Sequence, residues 1–157
     1  MYVIRKTKFP RSKPSPFNPK AILLLLFLLA ASISCTRQIA LYDEHVYQDL
    51  VNLKVESTDL LSKANEPYSN HADAAEALQV DLRKLTEYVN GMPKNDVTYR
   101  MLQKIGDPDE NLLGGALKLW KDQGTLSDAF IKPVQGRVAE AFDQALELER
   151  AKIRKGP

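Results

Sequence analysis

The chain has 157 residues, 44% of them hydrophobic and 27% charged, with a single cysteine and a formal net charge of +2. One cysteine excludes an internal disulfide framework, and the length suits one domain with a self-sufficient core. Six of the 22 basic residues precede Cys35 and none of the 20 acids does, so residues 35–157 carry 16 against 20, a net of −4, and the basic pI is no argument for a nucleic-acid partner.

The first twenty residues hold Arg5, Lys6, Lys8, Arg11, Lys13 and Lys20, with prolines at 10, 14, 16 and 19. Thirteen uncharged residues follow, Ala21 to Ile33. A cationic start, a short apolar core and a small residue before a cut are the parts of a secretory signal. Thirteen residues fall short of the roughly 18 that a spanning helix needs. The cations hold the N-terminus on the cytoplasmic side and send the remainder outward.

Ala31, Ser32, Ile33 and Ser34 before Cys35 resemble the lipobox of bacterial lipoproteins, with Ser32 where that family usually has Leu. The resemblance implies a diacylglycerol on the Cys35 thiol, cleavage between Ser34 and Cys35, and an acyl chain such as palmitate on the new amine. One acyl chain binds a membrane only marginally, so stable anchoring takes two or more, and a triacylated cysteine meets that need. By analogy with enterobacterial sorting, Thr36 in place of Asp points to the outer membrane. The expected organisation is a signal peptide over 1–34, a lipidated tether over 35–40 and a helical domain over 41–157.

Beyond the tether the patterning is helical. Val46, Leu50, Leu53, Leu60 and Ala64, with Ser57 filling the missing step, make one face of a helix over Leu41 to Ala64, stopped by Asn65, Glu66 and Pro67. Leu78, Leu82, Leu85 and Val89 stripe a second helix ending at Asn90 and Gly91. Val97, Met101, Leu102 and Ile105 stripe a third, from Asn95 to Ile105, before the turn at Gly106, Asp107 and Pro108.

Leu112, Leu113, Ala116, Leu117 and Trp120 form a fourth amphipathic stretch, closed by Gly124. Gly114 and Gly115 inside it each cost roughly 1 kcal/mol against Ala, which a close backbone approach or a local break would explain. A last helix opens at Thr125 or Ser127, where Thr125 and Asp128 have capping-box spacing. It runs Phe130, Val134, Val138, Ala141, Ala145 and Leu148 on one face, with a kink or restart expected at Pro133. The basic tail from Arg150 is expected to fray. No alternation long enough for a sheet occurs, so the fold class is all-α: a compact bundle of four to five antiparallel helices.

Little in the chain points to chemistry. His45 and His71 lack HExxH or Glu-x-x-His spacing, and both read as solvated surface. No G-x-S-x-G elbow surrounds any serine. Asp107, Asp109 and Glu110 lack the further ligands and closing Glu of an EF-hand, and read as a polar loop capping the next helix. Gly114 and Gly115 lack the remainder of a phosphate loop. Tyr42, Tyr47, Tyr68, Tyr88, Tyr99 and Trp120 suit a core edge with wet polar tips or a binding groove.

Tyr42-Asp43, Leu50-Val51, Leu53-Lys54-Val55, Asp107-Pro108, Leu112-Leu113-Gly114-Gly115, Trp120, Gly124-Thr125-Leu126-Ser127, Ala129-Phe130-Ile131 and Ala141-Phe142-Asp143 span most of the domain. On these residues the chain resembles a group of small, uncharacterised lipoproteins of Gram-negative bacteria. That group implies no activity, cofactor or metal. The reading is a membrane-anchored periplasmic lipoprotein without enzymatic activity, a helical interaction or structural module of the envelope. Cys35 is its anchor, an envelope protein its partner, and Trp120, Leu126 and Phe130 its contact surface. The alternative is a periplasmic protein binding a metal or small ligand in the bundle.

Overall fold

The computed structural model describes residues 40–154. The signal segment, Ser34 and Cys35 lie outside the described residues, as does all of the tether but Ala40. Among the described residues five α-helices follow one another: α1 (Glu44–Ser62), α2 (Ala72–Asn90), α3 (Asp96–Gly106), α4 (Leu113–Gln123) and α5 (Asp128–Ile153). A single 3-10 turn, Tyr68–Asn70, joins α1 to α2, and no strand occurs among the described residues. The fold is an all-helical bundle. Among the described residues no helix is long and apolar enough to cross a membrane.

Helix α1 starts at Glu44, later than the expected Leu41, and ends at Ser62, short of Ala64; Asp43 caps its start, the carboxylate accepting from the Val46 amide at 3.1 Å. The whole predicted face, Val46, Leu50, Leu53, Ser57, Leu60 and Ala64, is buried. So are Leu78, Leu82, Leu85 and Val89 of α2. The most extensive helix pairing joins α1 to α5, the first and last helices of the bundle, and α2 packs on α1 and α3.

Helix α3 turns a slightly different face inward: Thr98, Leu102 and Ile105 are buried while Val97 is exposed. Helix α4 is unbroken through its two glycines, and a close approach explains them. A β-carbon on Gly115 would stand 2.0 Å from the Glu110 carbonyl oxygen, so the 107–112 loop folds directly over the start of this helix. Gly124 ends α4 with φ of +80°, a conformation glycine adopts without steric cost.

Helix α5 departs from expectation in four ways. Its N-cap is Ser127 and no side chain caps it, so Thr125 and Asp128 form no capping box. Pro133 lies within one continuous helix and causes no restart. The buried face is Ile131, Val134, Val138, Phe142, Ala145, Leu146, Glu149 and Lys152, so Phe130, Ala141 and Leu148 sit at its edge. Within the described residues the expected fraying from Arg150 does not occur: the helix holds to Ile153, and Lys152 is buried, while residues 155–157 of that tail lie outside them.

Candidate functional site

Two polar clusters stand at opposite ends of the bundle. The first gathers where the chain enters at 40–43, beside the C-termini of α2 and α5 and the N-terminus of α3. Glu149 is fully buried, and Lys152 nearly so. The Lys152 ammonium donates to a Glu149 carboxylate oxygen and to the Asn95 side-chain oxygen. Thr98 Oγ1 donates to the same Glu149 oxygen at 3.0 Å, while Glu149 Oε2 has no partner. Charges taken this far from water persist only when paired and hydrogen-bonded.

Around this centre lies a half-exposed shell of tyrosines. Tyr88 Oη donates to Asp43 at 3.2 Å, and its ring meets His45 edge-on at 5.2 Å. Arg150 donates to Tyr47 Oη through Nη2 at 2.9 Å and lies over the Tyr47 ring. The hydrogen bond to Asp43, reinforced by its charge, pushes the Tyr88 phenol above its ordinary range. Desolvation first, then Glu44, does the same to Tyr42. His45 is 62% exposed beside Asp49, the solvated surface expected for it.

The second cluster closes the far end. Trp120 is fully buried, and its indole N–H donates to the Glu66 carbonyl at 2.9 Å. Tyr68 meets the indole edge-on at 5.4 Å, and His71 lies over it at 5.5 Å. His71 Nε2 stands 2.7 Å from Glu66, with only 16% of the side chain exposed. His71 is therefore packed rather than solvated, a correction to its reading as surface. Backbone bonds from Tyr68 to Gly124 and from Leu126 to Ala64, each 2.7 Å, clamp the two connecting segments together.

Trp120 and Leu126 are interior residues, so they offer no contact surface; Phe130, half-buried, is the one of the three at the boundary. The reason is volume: an indole at this helix end fills the gap between two loops that a smaller side chain would leave open. Asp107 and its neighbours make a turn, with Asp107 Oδ1 accepting from the Asp109 amide at 2.9 Å. They do not cap α4, whose N-cap, Leu112, makes no side-chain bond. Asp109 pairs with Lys118 at 2.9 Å, which raises the lysine's proton affinity.

A cleft of about 360 Å³ runs between α3, the 107–112 loop and α5, lined by Met101, Lys104, Glu110, Arg137, Glu140 and Gln144 among others. Its charges engage what is already there: Lys104 faces Glu110 at 3.8 Å, and Arg137 donates to the Asn111 carbonyl at 3.2 Å. Asn95, Thr98, Glu149 and Lys152 carry no signal in the sequence as a site; only the three-residue spacing of Glu149 and Lys152, one helical turn apart, hints at their pairing. The chain matches no protein-family model, no curated protein and no solved structure.

Proposed function

We propose that the chain is an exported lipoprotein, held to the membrane by acyl chains on Cys35, whose helical bundle serves without enzymatic activity as an interaction or structural module of the periplasmic envelope. The observation that carries this is the order of residues 1–35: six cations without an acid, then an uncharged run from Ala21 that ends in Ala31-Ser32-Ile33-Ser34 before the only cysteine. Thr36 favours the outer membrane by the same analogy. Among the described residues the first helix begins at Glu44, nine residues beyond Cys35 in the sequence.

Both polar clusters fit a scaffold. Each joins segments distant in sequence, and apart from Glu149 Oε2 their buried polar groups are spent on internal partners. The contact surface for an envelope protein then belongs to what Trp120 and Leu126 support from beneath, the exposed loop residues Asn65, Glu66, Pro67, Thr125 and Ser127 beside Phe130.

Palmitate labelling of the wild type and of Cys35→Ala in a Gram-negative host, with the mature mass measured alongside, tests the anchor. Label that depends on the cysteine, on a chain beginning at Cys35, supports the reading. An unlabelled wild type overturns it. Crosslinking in cells followed by recovery of the chain tests the module: a specific envelope protein is the expected result, and none recovered removes that half of the proposal.

A further inference from the structure

Six large hydrophobic residues are exposed among those described: Leu41 at 72%, Val51 at 37%, Val55 at 52%, Tyr88 at 45%, Val97 at 46% and Ile153 at 57%. Single exposed apolar residues are ordinary. Their distribution here is not, because four of the six belong to one end of the bundle. The bonds of that end establish it: Tyr88 to Asp43, Lys152 to Asn95, Thr98 to Glu149. Leu41, Val97 and Ile153 each lie within two residues of one of these contacts. None of the six falls in the segments 63–71 and 124–128 that close the far end.

This is also the end at which the chain arrives from Cys35. Ala40, five residues on from Cys35 in the sequence, is already buried in the bundle. Five residues extend at most about 18 Å, whereas α1 alone is about 28 Å long at its rise of 1.5 Å per residue. An anchor at Cys35 therefore holds this end within about 18 Å of the lipid, whereas the anchor places no such limit on the far end. The end carries charges of both signs, Arg100 and Arg154 with Glu44 and Asp96, so apolar contact rather than net charge defines it.

We infer that this end of the bundle docks on the bilayer surface, with Leu41, Val97 and Ile153 entering the interfacial layer and the Tyr88 ring at headgroup level. The inference rests on the lipid anchor proposed above, and it adds an orientation: helices stand on the membrane, and the loops at 63–71 and 124–128 point away from it. Tyrosine suits the position, since aromatic rings with a polar tip concentrate at membrane interfaces.

The test uses the full chain, processed in cells, purified with its acyl groups and placed in vesicles of phosphatidylethanolamine and phosphatidylglycerol with or without brominated acyl chains. Val97→Trp and Ile153→Trp report from the docked end, Lys63→Trp from the opposite one, and Trp120 is a buried reference common to all. Bromine should remove several-fold more emission at 97 and 153 than at 63. Equal, weak quenching at all three positions on a chain that still carries label at Cys35 overturns the docking and leaves the anchor standing. An emission at 97 that shifts with protein density but ignores bromine assigns the end to a second copy and overturns it likewise. A chain without label overturns the anchor and the docking together.

Discussion

Gly114 lies directly against the end of α3: a β-carbon there would stand 2.2 Å from the Gly106 carbonyl oxygen and 2.6 Å from that of Asp107. Neither obstacle is a flexible side chain, so an added methyl group forces the backbone of the α3–α4 junction apart. Helix propensity alone favours alanine by about 1 kcal/mol, but overpacking costs about 1–3 kcal/mol and wins. Gly114→Ala should lower the urea midpoint. Gly136, inside α5 with nothing near its would-be β-carbon, is the opposite case. Gly136→Ala should raise the midpoint, through a gain in stability of about 0.5–1 kcal/mol.

The buried pair at the end of α5 should behave as a unit. Lys152→Met leaves the Glu149 carboxylate with Thr98 alone, and Glu149→Leu leaves an ammonium facing Asn95 alone. Each should destabilise by about 3–5 kcal/mol. The double variant removes both charges and should cost much less than the sum. A double-mutant cycle by denaturant unfolding measures the difference, and simple additivity would refute the coupling.

Asp43 has two tasks that a substitution separates. It caps α1 and it accepts from Tyr88. Asp43→Ala should cost about 1 kcal/mol through the lost cap, whereas Asp43→Ser keeps most of that stability. Both should return the Tyr88 phenol toward its ordinary value of 10.0, seen as an ultraviolet titration difference against Tyr88→Phe. The sign follows from the direction. The folded phenol holds its proton more tightly than the unfolded one, so this contribution is complete below pH 10 and fades as pH rises through the raised value. Asp43→Ser should flatten that alkaline loss.

Ser57 offers a gain. Its hydroxyl is buried on the α1 stripe with no hydrogen-bond partner. An unsatisfied buried hydroxyl costs about 1–3 kcal/mol, so Ser57→Ala should raise the melting temperature. A lower melting temperature would show that the oxygen is satisfied after all.

The stripes of α1 and α2 were legible because one residue type decides them: leucine and valine recur at helical spacing with polar residues between. Helix α5 was legible as a helix but not in its exact face. Apolar residues flank each other at 130 and 131 and at 141 and 142, so the periodicity fits two faces a fraction of a turn apart, and packing against α1 chooses. Glu149 and Lys152 look like any charged helix end. Their burial depends on Thr98 and Asn95, 51 and 57 residues away, and no local pattern carries that information. Trp120 reads in the sequence both as the end of an apolar stripe and as part of a contact surface, and the structure decides for the first: it is fully buried, with its volume joining two loops.

The pairing of α1 with α5 has a consequence for how the fold is reached. The first helix finds its main partner in the last, across contacts such as Lys54 to Asp143, 89 residues apart, and Arg150 to Tyr47, 103 apart. Closing so long a loop yields nothing until its final residues exist, and loop-closure entropy is spent before that contact is made. A chain still emerging from a ribosome, or from a translocation channel, leaves the Val46–Leu60 stripe without its main cover until residue 150 or so is free. Completion of the fold is therefore a late, whole-chain event, and a growing chain of this sequence remains threadable for almost its entire length.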